Sequence, residues 1–221
     1  MASRNPPSQF DGRPHAALIS AGTRLWRVHR SDSAVVDFNH GIPGPAEGGR
    51  FDATEADPYP YWYGAYEQAT ALVEALLRDL PADDANRRYL QHALVRGRRL
   101  SAAVTTVELR VISLVTATDL AAAGVMGNWL VEAEAEAFPE TRKWSGWLRT
   151  LDPAAAGLVW QSRKDRPNHA LMLFGDRVGG GSGTAPVEPC PALTVALDTE
   201  DGVNWLNEML RLYRVRVAPP P

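Results

Sequence analysis

The chain has 221 residues, 45% of them hydrophobic and 22% charged, which suits one well-buried domain and is short for two. Acidic residues outnumber basic ones by 26 to 23 and the net charge is −3; a surface that grips phosphate backbones carries a basic excess, so direct nucleic-acid binding is not expected. Cys190 is the sole cysteine and the five histidines are scattered without an HxH or HxxxH pair, which excludes an intramolecular disulfide and leaves no metal site to expect.

Residues 1–22 are rich in Pro, Ser and Arg and read as a loose arm, without the apolar core of a signal peptide. No apolar run approaches the ~20 residues of a membrane span, so a cytoplasmic protein with no membrane partner is expected. "RLWRVHR" (24–30) sets Leu25, Arg27 and His29 against Trp26 and Val28, the alternation of a strand. "HGIPGPAEGGRFD" (40–52) is turn-rich and predicts a long, shaped loop. Ala69, Leu72, Val73, Leu76, Leu77 and Leu80 then fall at the spacing of an amphipathic helix that stops at Pro81.

Residues 84–97 read as partly helical, and the β-branched stretch 98–115 as one or two strands around Glu108 and Arg110. "TATDLAAAG" (116–124) has the signature of a short helix, with Thr118 as N-cap and Gly124 as stop. Trp144, Trp147, Leu148 and Leu151 form a second helical stripe ended by Pro153. "GLVWQS" (157–162) and "HALMLF" (169–174) read as adjacent buried strands, 178–191 as a flexible loop, and 203–215 as a last helix before a Pro-rich tail at 216–221. The expected architecture is therefore one α+β domain over 23–215.

Five residues could carry chemistry. Glu74 lies roughly 130° from the centre of its helix's apolar stripe at 100° per residue, on a face with Glu67 and Arg78. By itself it reads as a solvated glutamate, paired with Arg78 at i, i+4 for a few tenths of a kcal/mol. Arg50 follows two glycines that permit close backbone approach to a ligand, and its planar fork matches a phosphate; a surface-loop arginine would look the same. Arg27 lies either on the solvent face of its strand or in a cleft. Tyr63 is a rim or core aromatic, or a ring that stacks on a flat heterocycle. Ser162 ends an apolar strand without the G-x-S-x-G context of a nucleophile, yet a serine there can donate one oriented hydrogen bond. "GGGSG" (179–183) is followed by Thr-Ala-Pro rather than a helix start, so it is no phosphate cradle.

The order of these pieces resembles the RES domain. The matching stretches are "WRV" (26–28), "GGRF" (48–51), "YGA" (63–65) and "TALVE" (70–74), then "RGRRLS" (96–101), "LRVISL" (109–114) and "TRKW" (141–144). The last is "GLVWQSRKDRPNHALMLF" (157–174), and the similarity spans 24–178. Gly64 and Gln161 depart from the family pattern, where a larger apolar residue and proline are common. The resemblance implies an ADP-ribosyltransferase-like fold: a compact domain with a mixed, mainly antiparallel sheet flanked by helices.

The same resemblance implies a toxin that breaks the nicotinamide–ribose bond of NAD+, by hydrolysis or phosphorolysis, and an antitoxin partner with a helix-turn-helix domain. NAD+ would be the substrate, with no prosthetic group. It assigns catalysis to Glu74, Arg50, Tyr63 and Ser162, with Arg27, Arg50, Tyr63 and Ser162 contacting the dinucleotide. Arg50 and Arg27 would face the pyrophosphate, Tyr63 would stack near the nicotinamide ribose, and Ser162 would orient the nicotinamide end. Two other readings compete: transfer of ADP-ribose to a macromolecule, and a non-catalytic module whose cleft receives a partner protein.

Overall fold

The computed structural model describes residues 4–44, 47–77, 80, 88–178 and 185–218. Its centre is a pair of strands, β7 (Gly157–Gln161) and β8 (His169–Phe174), formed by the two short apolar runs and buried along nearly their whole length. Both faces of such strands meet other side chains, which is why they read as continuous hydrophobic runs rather than alternating ones. Around them β1 (Ala16–Ile19), β2 (Arg24–Arg30), β3 (Tyr61–Ala65), β5 (Arg98–Thr105), β6 (Leu109–Leu114) and β9 (Val187–Ala196) complete one curled sheet in the order β1-β6-β7-β8-β3-β2-β5-β9. Within that sheet, among the described residues, only the β6–β7 pairing is parallel. A second, two-stranded sheet joins β4 (Arg88–Leu90) to β10 (Val215–Val217). The chain is thus a single mixed, mainly antiparallel α+β domain.

Among the described residues, five α-helices flank the large sheet: α1 (Gln68–Leu76), α2 (Ala117–Ala122), α3 (Trp129–Glu132), α4 (Phe138–Leu151) and α5 (Glu200–Leu210). One sheet face is covered in two patches. Leu72, Val73 and Leu76 of α1, with Leu206 and Leu210 of α5, pack over Trp26, Ala65 and Leu100. Trp144 and Leu148 of α4 pack over Tyr61, Trp160 and Met172 together with Leu120 and Leu130. The opposite face buries Leu25, Trp62, Val159 and Leu171 under Val35. A seam is left on the first face between the two patches. It is widened because β2 and β3 pair through one position only, Trp26 opposite Ala65.

Several local expectations are corrected. Residues 16–19 of the supposed arm are β1, paired with β6, and upstream the Phe10 ring packs on Trp147 at 5.4 Å. The cap of α2 is Thr116 rather than Thr118. Thr116 accepts from the Asp119 amide while Asp119 accepts from the Thr116 amide, a reciprocal capping box. Residues 88–90 are strand instead of helix, and 187–190 belong to β9 instead of a loop; its Pro189 and Pro191 are tolerated because β9 is an edge strand. The last helix, α5, is capped by Thr199, whose hydroxyl accepts from the Gly202 amide, and ends at Leu210, so the tail returns as β10. Arg78, Pro81, residues 84–87, the whole "GGGSG" run (179–183) and the tail end 219–221 lie outside the described residues.

Candidate active site

The seam is a cleft of about 700 Å³, within the range of small-molecule and cofactor sites. Trp26, Val28 and Ala71 line it from one patch, Tyr61, Tyr63 and Trp160 from the other, and residues 41–43 and 47–50 border it.

The loop is shaped by a buried carboxylate that the sequence reading did not single out. Asp52 is 2% exposed. Its Oδ2 accepts from the Gly49 amide at 2.6 Å and the Tyr61 hydroxyl at 3.0 Å, and its Oδ1 from the Tyr63 hydroxyl at 2.8 Å. Tyr63 in turn accepts from the Phe51 amide at 2.9 Å. Burial, and after it the Asp52 charge, hold the Tyr63 hydroxyl well above the usual tyrosine range, so it stays protonated and keeps donating. The glycines are needed for this closure. Gly48 has φ +77°, and a Cβ on Gly49 would sit 2.7 Å from Asp52 and 2.8 Å from the Tyr63 hydroxyl. Their close approach within the chain is to Asp52, Tyr63 and Pro43.

Helix α4 holds the same loop from outside. The Thr141 hydroxyl donates to the Arg50 carbonyl at 2.5 Å. Arg142, 4% exposed, donates Nε to Gly49 O at 3.1 Å, Nη1 to Gly44 O at 3.0 Å and Nη2 to Glu47 O. Three carbonyls on one planar fork fix the loop that carries Arg50. Arg50 itself is buried, with its guanidinium 5.9 Å from the Phe51 ring centre and 5.7 Å from that of Phe138, and Nη2 donating to Ala133 O at 3.2 Å. It lines the cleft, and with Glu74 also a small depression beside it that Arg163 and Lys164 share. It is no surface-loop arginine.

Glu74 is half-buried on the cleft wall rather than solvated. Its neighbours Ala71 and Ala75 are small, so α1 leaves room beside the carboxylate. The Ser162 hydroxyl donates to Glu74 Oε1 at 2.5 Å across 88 positions of sequence. Ser162 is fully buried and is not among the residues lining the cleft. Its oxygen also accepts from the Asp165 amide at 3.1 Å and the Lys164 amide at 3.3 Å, so the turn after β7 aims its single proton at Glu74. The position implied by resemblance, against the substrate itself, is therefore not the one Ser162 occupies.

That turn is braced against α1 a second time. The Thr70 hydroxyl, one helical turn before Glu74, donates to Asp165 Oδ2 at 2.5 Å, and the Tyr213 hydroxyl donates to Asp165 Oδ1. Asp165 and Tyr213 escaped the sequence reading because their partners lie far along the chain. A serine three residues before an aspartate in "SRKD" is a turn signal, and nothing in it names the helix it docks on.

Arg27 borders the cleft but spends its head group elsewhere. Strand alternation sends it to the face of Leu25 and His29, where Nη1 donates to Val35 O at 3.0 Å and Asp37 O at 2.5 Å, over the Trp62 ring. Burial, opposed in part by the Asp37 charge, lowers its pKa to about 10; it remains a cation at neutral pH. Neither alternative open to the sequence, a solvent face or a projection into the cleft, describes it.

These contacts give Ser162 a discriminating test. For a substrate turned over in this cleft, Ser162→Ala is expected to lower kcat about ten- to hundredfold, the worth of a hydrogen bond to a charged group, with KM little changed. Steady-state kinetics decide. A raised KM at unchanged kcat would mean that Ser162 touches substrate instead.

Among the described residues no group of three or more His, Cys, Asp or Glu side chains is placed to hold a metal ion. The arrangement is that of a carboxylate fixed by a hydroxyl, with a buried guanidinium and aromatic rings around it: a site that can stabilise positive charge on a bound organic molecule.

The model of the RES domain matches residues 24–193. No curated protein matches the sequence. Among solved structures, a chain of the M. tuberculosis MbcT–MbcA toxin–antitoxin complex superposes with a TM-score of 0.60 at 16% identity, over 88% of this chain and 92% of that one. At that identity the likeness speaks for the fold.

Proposed function

The chain belongs to the RES domain family, and we propose that it is an NAD+-consuming toxin that cleaves the nicotinamide–ribose bond and is neutralised by a cognate antitoxin. The observation that carries this reading is the Glu74 carboxylate held by Ser162 at 2.5 Å on the wall of a cleft it shares with Arg50.

The chemistry needs little more. Breaking the bond sends its electron pair to nicotinamide, which leaves neutral, so no general acid has to protonate it. Positive charge develops at the anomeric carbon, as in glycoside hydrolysis. Glu74 stabilises that charge and holds a ribose hydroxyl, and Ser162 keeps the carboxylate oriented through the step. Water or phosphate then adds to the same carbon through an oxygen lone pair, water releasing one proton to solvent and phosphate attacking through an anionic oxygen. Fixed electrostatic groups of this kind are typically worth ~2.7–4 kcal/mol. Arg50 faces the pyrophosphate, Arg27 adds positive potential from behind the strand, and Tyr63, pinned by Asp52, offers its ring to the nicotinamide riboside. NAD+ is substrate throughout, and no prosthetic group enters.

The toxin role draws support from family membership and from a structural neighbour solved as a toxin–antitoxin complex. A cleft open to a dinucleotide also admits a protein segment, and the antitoxin, a helix-turn-helix protein by family resemblance, would block it there. No helix among the described residues is long and apolar enough to cross a membrane, and the proposed substrate pool is cytoplasmic.

Expression of the chain in bacteria should arrest growth and deplete NAD+. Glu74→Gln and co-expression of the neighbouring antitoxin frame should each relieve both effects. Intracellular NAD+ and colony counts after induction are the measurements. Arrest with NAD+ unchanged would overturn the reading in favour of a protein-binding module, and ADP-ribose appearing on a macromolecule would redirect it to a transferase.

A further inference from the structure

The sheet presents a second arginine to the cleft, and it comes from β5. Alternation along β2 puts Trp26 and Val28 on the cleft face and Arg27 behind it. The same alternation along β5 puts Arg98 on the side of Leu100 and Ala102, which belong to the α1 patch. Arg98 lines the cleft together with Val28 and Ala75 and is only partly exposed.

Among the described residues, its charged neighbour in the sheet is another cation. Arg98 stands opposite Arg30 in the β2–β5 ladder, and Arg30 already has its own carboxylate, Asp32, at 2.9 Å. Among the described residues the Arg98 guanidinium has no hydrogen-bond or ion-pair partner, its backbone groups alone being engaged. Burial, and after it the Arg30 charge, lower its pKa. A half-buried cation held beside another cation is an unfavourable arrangement that an anion in the cleft reverses, and a planar guanidinium matches a phosphate in particular.

Position narrows the ligand. The Arg30–Arg98 row lies four residues along β2 from the Trp26–Ala65 bridge beside Tyr63, roughly 13 Å at about 3.3 Å per residue. A dinucleotide with its ribose at Glu74 and Tyr63 extends over that separation along the α1 groove, where Ala71 and Ala75 leave the path open.

We propose that Arg98 is a phosphate-recognition residue at the far end of the cleft, binding a phosphate of a dinucleotide ligand, either its pyrophosphate or a 2′-phosphate on its adenosine ribose. The proposal rests on the dinucleotide reading of the cleft, and its test does not require cleavage.

Titration calorimetry would measure ADP, adenosine 2′,5′-bisphosphate and adenosine against the parent chain, Arg98→Ala and Arg98→Lys, with thermal melting as a control for folding. Arg98→Ala should weaken the phosphorylated probes about tenfold or more and leave adenosine unaffected, while Arg98→Lys, which keeps charge but not the fork, should fall between. Equal losses for ADP and the bisphosphate assign the pyrophosphate. Loss confined to the bisphosphate assigns the 2′-phosphate and predicts that the chain discriminates NADP+ from NAD+ through Arg98. Unchanged affinities, or an equal loss for adenosine, would overturn the proposal. Arg98-dependent ADP binding in a protein that leaves NAD+ intact would sustain the phosphate site while removing the cleavage chemistry.

Discussion

Replacing Glu74 by glutamine should lower NAD+ turnover about a hundred- to thousandfold and leave the melting temperature unchanged. Glutamine keeps the shape and an oxygen that still accepts from the Ser162 hydroxyl, whose oxygen lies 2.5 Å from Glu74 Oε1. Only the charge is lost, and the charge is what the anomeric carbon needs as nicotinamide departs. The size of the effect follows from the ~2.7–4 kcal/mol typical of fixed electrostatic stabilisation, since each 1.36 kcal/mol is about tenfold in rate. Packing does not need the charge, because the buried stripe of α1 is Thr70, Ala71, Leu72, Val73 and Leu76. Turnover and melting measured on one preparation decide; turnover within a few-fold of the parent would return Glu74 to an ordinary helical glutamate.

Asp52→Ala should be the most destabilising single change near the site. It strips the Gly49 amide and the Tyr61 and Tyr63 hydroxyls of a shared buried acceptor. Hydrogen bonds to a charged group are worth about 1.5–3 kcal/mol, and partial repair by water at the cleft recovers some of that. A net loss of about 4 kcal/mol is expected, which for a domain of this size lowers Tm by roughly 8–16 °C. Turnover should fall with it, since the loop that carries Arg50 is folded around Asp52. Thermal melting followed by circular dichroism is the measurement. A Tm shift of under about 2 °C would mean that α4, through Thr141 and Arg142, holds the loop alone.

What could be read from the sequence was local in origin. The alternation of 24–30 and the apolar runs 157–162 and 169–174 report the environment of their own elements and form β2, β7 and β8, while the stripe of α1 forms a helix only as far as Leu76, short of the Leu80 that its spacing predicts. Family motifs brought Arg50, Tyr63 and Glu74 to one cleft before any geometry was known. The errors share a cause. Ser162 and Glu74 are 88 positions apart, Thr141 and Arg50 91, and Tyr213 and Asp165 48; no periodicity records which distant carbonyl or carboxylate a side chain meets. Arg27 illustrates it most clearly. Its face was legible, and what covers that face, the chain at 35–37, was not. Asp52 and Arg142 act by fastening one loop to another element, so their importance is invisible until the loop closes.

The central claim is that the cleft breaks the nicotinamide–ribose bond by means of Glu74. The direct measurement is proton NMR of NAD+ incubated with the purified chain, with and without phosphate. The account predicts free nicotinamide accumulating in step with loss of NAD+, accompanied by ADP-ribose or its phosphorylated form, and slowed about a hundred- to thousandfold in Glu74→Gln. An NAD+ spectrum unchanged by the folded parent chain in both buffers, or nicotinamide released equally by Glu74→Gln, would contradict it.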